Sequence, residues 1–179
     1  GEWWRLFTAP LMHAGLLHLL FNGMALLALG GLVERYAHRA YVPLVFLLTA
    51  LAGGVGSFVL YPHTNSVGAS GGIMGIVGFA LVLSYRRRSL LPRSLSHELL
   101  ADVAWVAVMG LAAYQYIDNG AHASGLLAGA LLGLLLVPRG GGETPHWEPG
   151  PAIRAAGWVS LAILAASALF AAAKMGGVM

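Results

Sequence analysis

Cysteine is absent from this chain, which excludes disulfides and thiolate metal sites and leaves the redox compartment unread. Charge is almost as scarce. Only 9% of the 179 residues are Asp, Glu, Lys or Arg, where a soluble domain carries about a quarter. With 58% hydrophobic residues, that scarcity excludes an ordinary soluble domain and predicts an all-α polytopic membrane protein. No cleavable signal peptide is legible, because Glu2 and Arg5 flank Trp3 and Trp4 without an apolar run. Low-complexity segments and fixed-period repeats are lacking too. Glycine is what abounds: most of its 25 residues fall inside the apolar runs, where they favour close helix packing over loops.

Six segments are free of Asp, Glu, Lys and Arg and long enough to matter: 11–33, 41–61, 69–85, 103–117, 121–137 and 155–173. A span takes about 17 to 25 apolar residues. The first two and the last fit that range, and the middle three are short, as suits helices buried in a bundle whose ends open to water. Basic residues set the orientation. Arg35 and Arg39, Arg86, Arg87, Arg88 and Arg93, and Arg139 and Arg154 fall in alternate loops, which the positive-inside rule makes cytoplasmic. Loops 62–68 and 118–120 carry no Lys or Arg. Residue 1 then lies outside, and the expectation is a further span upstream of it. Residues 138–154, with Gly140, Gly141 and Gly142 among several prolines, read as a flexible cytoplasmic loop before an additional C-terminal helix and tail at 155–179.

Helix rise turns spacing into depth. Ser70 precedes Arg86 by 16 residues, His122 precedes Arg139 by 17, and His18 precedes Arg35 by 17. At about 1.5 Å per residue all three lie roughly 24–25 Å above the cytoplasmic boundary, in a hydrocarbon core about 30 Å thick. Three helices thus present Ser70, His122 and His18 at one level. Gly68, Gly71, Gly75 and Gly78 on the third segment, and Gly125, Gly129 and Gly133 on the fifth, form small-residue stripes that let backbones approach.

Polar groups at that depth point to chemistry. A serine hydroxyl needs an adjacent base to become a nucleophile, and histidine is suited to that role near neutral pH. Asp118, one turn before His122 toward the surface, and Glu34, at the cytoplasmic end, are not placed as a third member. The expectation is therefore a Ser70–His122 dyad. His18 and Asn22, at i and i+4 on one helix face, together with the Ser70 backbone N–H, are candidate oxyanion donors. The plainer alternative for a histidine on an apolar helix is packing, and His13 near the outer surface is read first that way. A zinc site from His13, His18 and His122 lacks both a carboxylate and the HExxH pattern. Ser57, Ser84 and Ser124 read as ordinary helix serines, and His38, His63, His97 and His146 as solvated loop residues. The Arg86–Arg88 run reads as topogenic, not as a nucleic-acid contact. A transporter would place ionisable groups along the bilayer midplane, whereas these cluster toward one face.

In this order the residues resemble the rhomboid intramembrane serine proteases, from Trp4-Arg5 to about Val137. Trp4-Arg5 resembles the Trp-Arg of the family's first external loop. His13, His18 and Asn22 match H-x4-H-x3-N, Gly68-Ala69-Ser70-Gly71 matches G-x-S-G, and Ala121-His122 with Gly125 and Gly129 matches A-H-x2-G-x3-G. Glu34-Arg35 is similar to the acidic-basic step at the inner end of the same family helix. The resemblance implies a rhomboid-like helical bundle with six transmembrane helices visible. Five are core helices 2–6 within residues 1–137, one is appended at the C-terminus, and the first core helix is missing. It implies a serine endopeptidase with Ser70 as nucleophile, His122 as base, and His18, Asn22 and Ser70 at the oxyanion site. Trp4, Arg5, His13, Gly68, Gly71, Met74, Gly125 and Gly129 would support that site. The implied substrates are single-span membrane proteins, cut in or near the span, with no metal, cofactor or nucleic acid involved. The setting is a bacterial cytoplasmic membrane with the site open to the extracytoplasmic side. One departure stands out: Met74 occupies a position where the family commonly has an aromatic residue stacked on the catalytic histidine. The alternative reading is a proteolytically inactive rhomboid-like protein that binds membrane clients.

Overall fold

The computed structural model describes residues 1–63, 66–139 and 148–176. The expected flexible loop around Gly140, Gly141 and Gly142, and the expected solvated His146, lie outside those residues. Regular structure among the described residues is helical throughout. A short α1 (Arg5–Thr8) runs into a 3-10 turn (Ala9–Leu11). Then follow α2 (Leu16–Tyr36), α3 (Tyr41–Leu60), α4 (Ser70–Arg86), α5 (Leu95–Ala112), α6 (Asn119–Leu136) and α7 (Pro151–Met175). Helices α2, α3, α5, α6 and α7 are long and apolar enough to cross a membrane, and α4 is a shorter apolar helix. They answer the six charge-free segments, as a rhomboid-like helical membrane bundle requires.

Three helices differ in their bounds from the sequence reading, among them α7, which begins at Pro151, inside the expected loop 138–154. Helix α2 begins at Leu16, not near residue 11, because Pro10 sits in the 3-10 turn and Met12 leaves it extended. Helix α5 begins at Leu95 and ends at Ala112, against the expected 103–117. Absence of charge marks depth in lipid, not helicity. Glu98 and Asp102 are exposed on the first turns of α5, so they do not stop the helix. For the same reason His97 lies on α5, exposed, and not in a loop.

Helix α4 is the axis of the bundle, with residues 71–80 all buried. It packs most extensively on α6, then on α3, and less on α2 and α5, while α7 lies against α3. Glycine makes the α4–α6 contact possible. A Cβ at Gly125 would overlap the Gly71 carbonyl oxygen, one at Gly129 that of Gly75, and one at Gly78 that of Leu126. On α3, a Cβ at Gly53 would stand 3.0 Å from the Ala121 carbonyl oxygen. Below these contacts Tyr41, Phe79, Ile76 and Leu83 fill the core, with the Tyr41 and Phe79 rings 5.5 Å apart. The buried Thr49 hydroxyl donates within α3 to Val45 O (2.7 Å) and lies 3.2 Å from Gly72 O on α4. The Arg86 guanidinium donates to Leu134 O (2.7 Å) and to Val137 O, capping the C-terminus of α6. That adds a structural role to a residue read as purely topogenic. Leu17, Phe21, Leu27, Phe58, Leu127 and Leu135 are exposed around the outside, as contact with lipid tails demands.

Candidate active site

Helices α2, α4 and α6 are alternate members of the bundle. Ser70 is the first residue of α4, and His122 and His18 lie in the first turns of α6 and α2. The sequence depth estimate put these three residues at one level, and each now stands at the same end of its helix.

The central contact joins residues 52 apart in sequence: His122 Nε2 lies 2.7 Å from Ser70 Oγ. It follows from the packing just described. With a side chain at Gly125 the two backbones would be held apart at the level of the pair. Both residues keep partial exposure, so the hydroxyl is reachable.

The segment entering α4 is held from two sides. Gly68 N–H donates to Ala9 O at 3.0 Å, tying it to the 3-10 turn. Gly68 also has φ +123°, a backbone conformation closed to most side chains. A Cβ there would lie 2.8 Å from His18 Cε1 and 3.9 Å from Asn22 Nδ2. His18 and Asn22 thus flank the residue two before Ser70. The Asn22 amide is buried and donates to His18 O at 3.0 Å, leaving its second hydrogen for another acceptor. His13 joins this group, its ring edge-on to that of His18 at 5.1 Å. Burial, and then the nearby His18, hold the His13 pKa below its ordinary 6.5, opposed by a hydrogen bond with the Leu11 backbone.

The other expected site residues fall into two sets. Gly68, Gly71, Gly125 and Gly129 stand where α4 and α6 meet or where the loop enters α4, and Met74 is buried one turn beyond Ser70. Trp4 and Arg5 are turned elsewhere. The Trp4 ring meets Phe170 (6.4 Å) and Lys174 (5.8 Å) of α7, while Arg5 pairs with Glu2. His38, expected to be solvated, is half-buried, accepts from Ala40 N at 3.1 Å and lies 3.9 Å from Glu148.

Three residues were missed, Gly53, Gly56 and Asn119, and the capping role of Asp118 with them. Gly53 and Gly56 carry α3 against Ala121 and Ser124 of α6, a small-residue cluster of the same kind as those on α4 and α6. Asn119 Nδ2 donates to Gly110 O at 2.9 Å, fastening the start of α6 to the end of α5. Asp118 caps α6 by accepting from Ala121 N at 2.8 Å. The signal for that cap was an acidic side chain just before an apolar run.

A serine hydroxyl on an imidazole nitrogen, with flanking amide and imidazole donors at helix N-termini, is an arrangement able to carry acyl transfer. The Rhomboid domain model matches residues 1–139. The chain is 36% identical to Rhomboid protease GluP of Bacillus subtilis over 138 residues, covering 75% of this chain and 27% of that protein. It is 32% identical to RHOMBOID-like protein 6, mitochondrial, of Arabidopsis thaliana over 146 residues, covering 80% and 47%. Inactive rhomboid protein 1 of Papio anubis is 28% identical over 139 residues, covering 76% and 16%. The chain therefore spans less than half the length of these three curated relatives. With the family's domain matched over most of its length, and its helices packed as a membrane bundle, this chain belongs to the rhomboid family.

Proposed function

We propose that this protein is an intramembrane serine endopeptidase working through a Ser70–His122 dyad. The observation that carries the reading is the 2.7 Å contact between Ser70 Oγ and His122 Nε2, within the reach a general base needs. Ser70 Oγ attacks the scissile carbonyl carbon while His122 Nε2 takes its proton. The carbonyl oxygen becomes an oxyanion, for which His18, the second Asn22 amide hydrogen and the Ser70 N–H are the donors at hand. His122 then gives its proton to the leaving amine. Water, deprotonated by the same nitrogen, adds to the acyl carbonyl, and that proton returns to Ser70 Oγ as the acyl group leaves. Positive ends of helix dipoles at α2, α4 and α6 favour the developing negative charge.

The substrates on this reading are single-span membrane proteins presented within the bilayer. The protease core is residues 1–137, joined through 138–154 to an appended segment at 155–179 that contains most of α7. The site opens to the extracytoplasmic side of a bacterial cytoplasmic membrane. A relative named as inactive supplies the competing reading, a client-binding protein without turnover. Presence of both Ser70 and His122 favours the protease. The test is cleavage of a single-span substrate in lipid. Ser70→Ala and His122→Ala are each expected to lower turnover by at least ~10³-fold with unchanged folding. Comparable turnover in either variant would remove the dyad assignment.

A further inference from the structure

Two buried polar atoms remain unexplained beside the pair. Asp118 uses one carboxylate oxygen, Oδ1, to cap α6 through Ala121 N, but its Oδ2 is buried without a hydrogen-bond partner among the described residues. One turn further on, His122 turns Nε2 to Ser70, and its Nδ1 is buried and equally unpartnered. Residues at i and i+4 share a helix face, and the His122 N–H already bonds to Asp118 O at 3.1 Å. The titratable groups beside His122 are Asp118 on its own helix and His18 of α2.

The chemistry of the two atoms is complementary. An ionised carboxylate oxygen only accepts, whereas a neutral imidazole carries its proton on either nitrogen. Each buried orphan is costly by itself, and each supplies what the other needs. We propose that Asp118 is a positioning residue for His122. Neither atom is bonded as placed; a side-chain rotation brings Oδ2 to accept the Nδ1–H, and so fixes the tautomer that leaves Nε2 free to take the Ser70 proton. The same carboxylate stabilises the imidazolium formed during attack. This rests on the protease reading above and revises the expectation from spacing, which set Asp118 aside as too near the surface. That expectation treated Asp118 as a loop charge. As the N-cap, the residue is turned back over the first turn of its own helix.

The discriminating variant is Asp118→Asn. Asparagine caps helices as well as aspartate does. Its single oxygen must still accept from Ala121 N, so its NH2 faces His122. Two donors cannot pair, and the imidazole proton moves to Nε2. The protein, reconstituted in lipid, would be compared with Asp118→Asn for kcat, KM and melting temperature. In parallel, the His122 tautomer would be read by nitrogen-15 NMR of histidine-labelled protein, assigned with His122→Gln. The expected result is an unchanged melting temperature and KM, with kcat lower by roughly 10²-fold or more. The His122 Nδ1 signal should change from protonated to unprotonated. A wild-type kcat in Asp118→Asn, or a lower kcat with an unchanged tautomer, would overturn the proposal. If the wild-type protein cleaves nothing yet its tautomer responds to Asp118→Asn, the contact stands and the protease reading is what fails.

Discussion

Gly68 shows how much one residue contributes to this site. Its φ of +123° and the His18 ring 2.8 Å from where its Cβ would be are independent reasons for glycine. Gly68→Ala is expected to cost about 1–3 kcal/mol from backbone strain and to lower activity further by pushing His18 from the approach to Ser70. Melting temperature and turnover of the variant check this, and wild-type values for both would contradict it. His13 gives a pH prediction. Its pKa lies below 6.5 in the folded protein, so the unfolded chain takes up the proton first as pH falls. The stability tied to neutral His13 is present above about pH 6.5 and is lost as pH drops below it. Between pH 7.5 and 5.5 the melting temperature of the wild type should fall more than that of His13→Gln. Equal falls would show that His13 carries none of the dependence. Ser70, His122, His18 and Asn22 were legible in the sequence because each is a polar group at a computable depth. Asp118 was half legible: its type and position were visible, but the direction of its second oxygen depends on a cap geometry that spacing does not encode.

Among the helices, the contact of α4 with α6 decides whether the pair forms. Gly125 and Gly129 meet carbonyl oxygens of α4, so a side chain there forces apart the two helices that carry Ser70 and His122. Gly31 on α2 has nothing within 4 Å of its Cβ position. Gly129→Val is therefore expected to destabilise by ~1–3 kcal/mol and to abolish turnover, whereas Gly31→Ala should leave both near wild type. Thermal melts and cleavage rates of the two variants distinguish this from a general intolerance to substitution at glycine. The helices themselves were readable from charge-free runs because lipid penalises ionised groups. Their ends were less so. Helix α5 starts at Leu95 because Glu98 and Asp102 lie on its exposed first turns, a circumstance that a charge criterion cannot detect. The role of α3 was also hidden, since Gly53 and Gly56 become meaningful only once Ala121 and Ser124 are known to face them.

For the molecule as a whole, arginines in alternate loops predict the orientation. A chain without cysteine allows single cysteines to report on it directly. His63→Cys should react with a membrane-impermeant maleimide in intact cells, and Arg88→Cys only after permeabilisation. The reverse pattern would invert the proposed topology and move the site to the cytoplasmic face. The bundle architecture was legible because composition, spans and charge asymmetry all constrain it. Helix neighbours were legible only where glycine stripes announced them, and the packing of Trp4 against α7 was announced by nothing.

On the proposed function Ser70 and His122 act together as a protease within the membrane. Its most direct test is the protein in lipid vesicles with a single-span substrate, beside Ser70→Ala, with a serine-reactive fluorophosphonate as a second readout. The expected outcome is a cut within or next to the span, and covalent labelling at Ser70, both lost in the variant. Intact substrate together with an unlabelled Ser70, in protein that is folded by its melting transition, would contradict it and favour the client-binding reading.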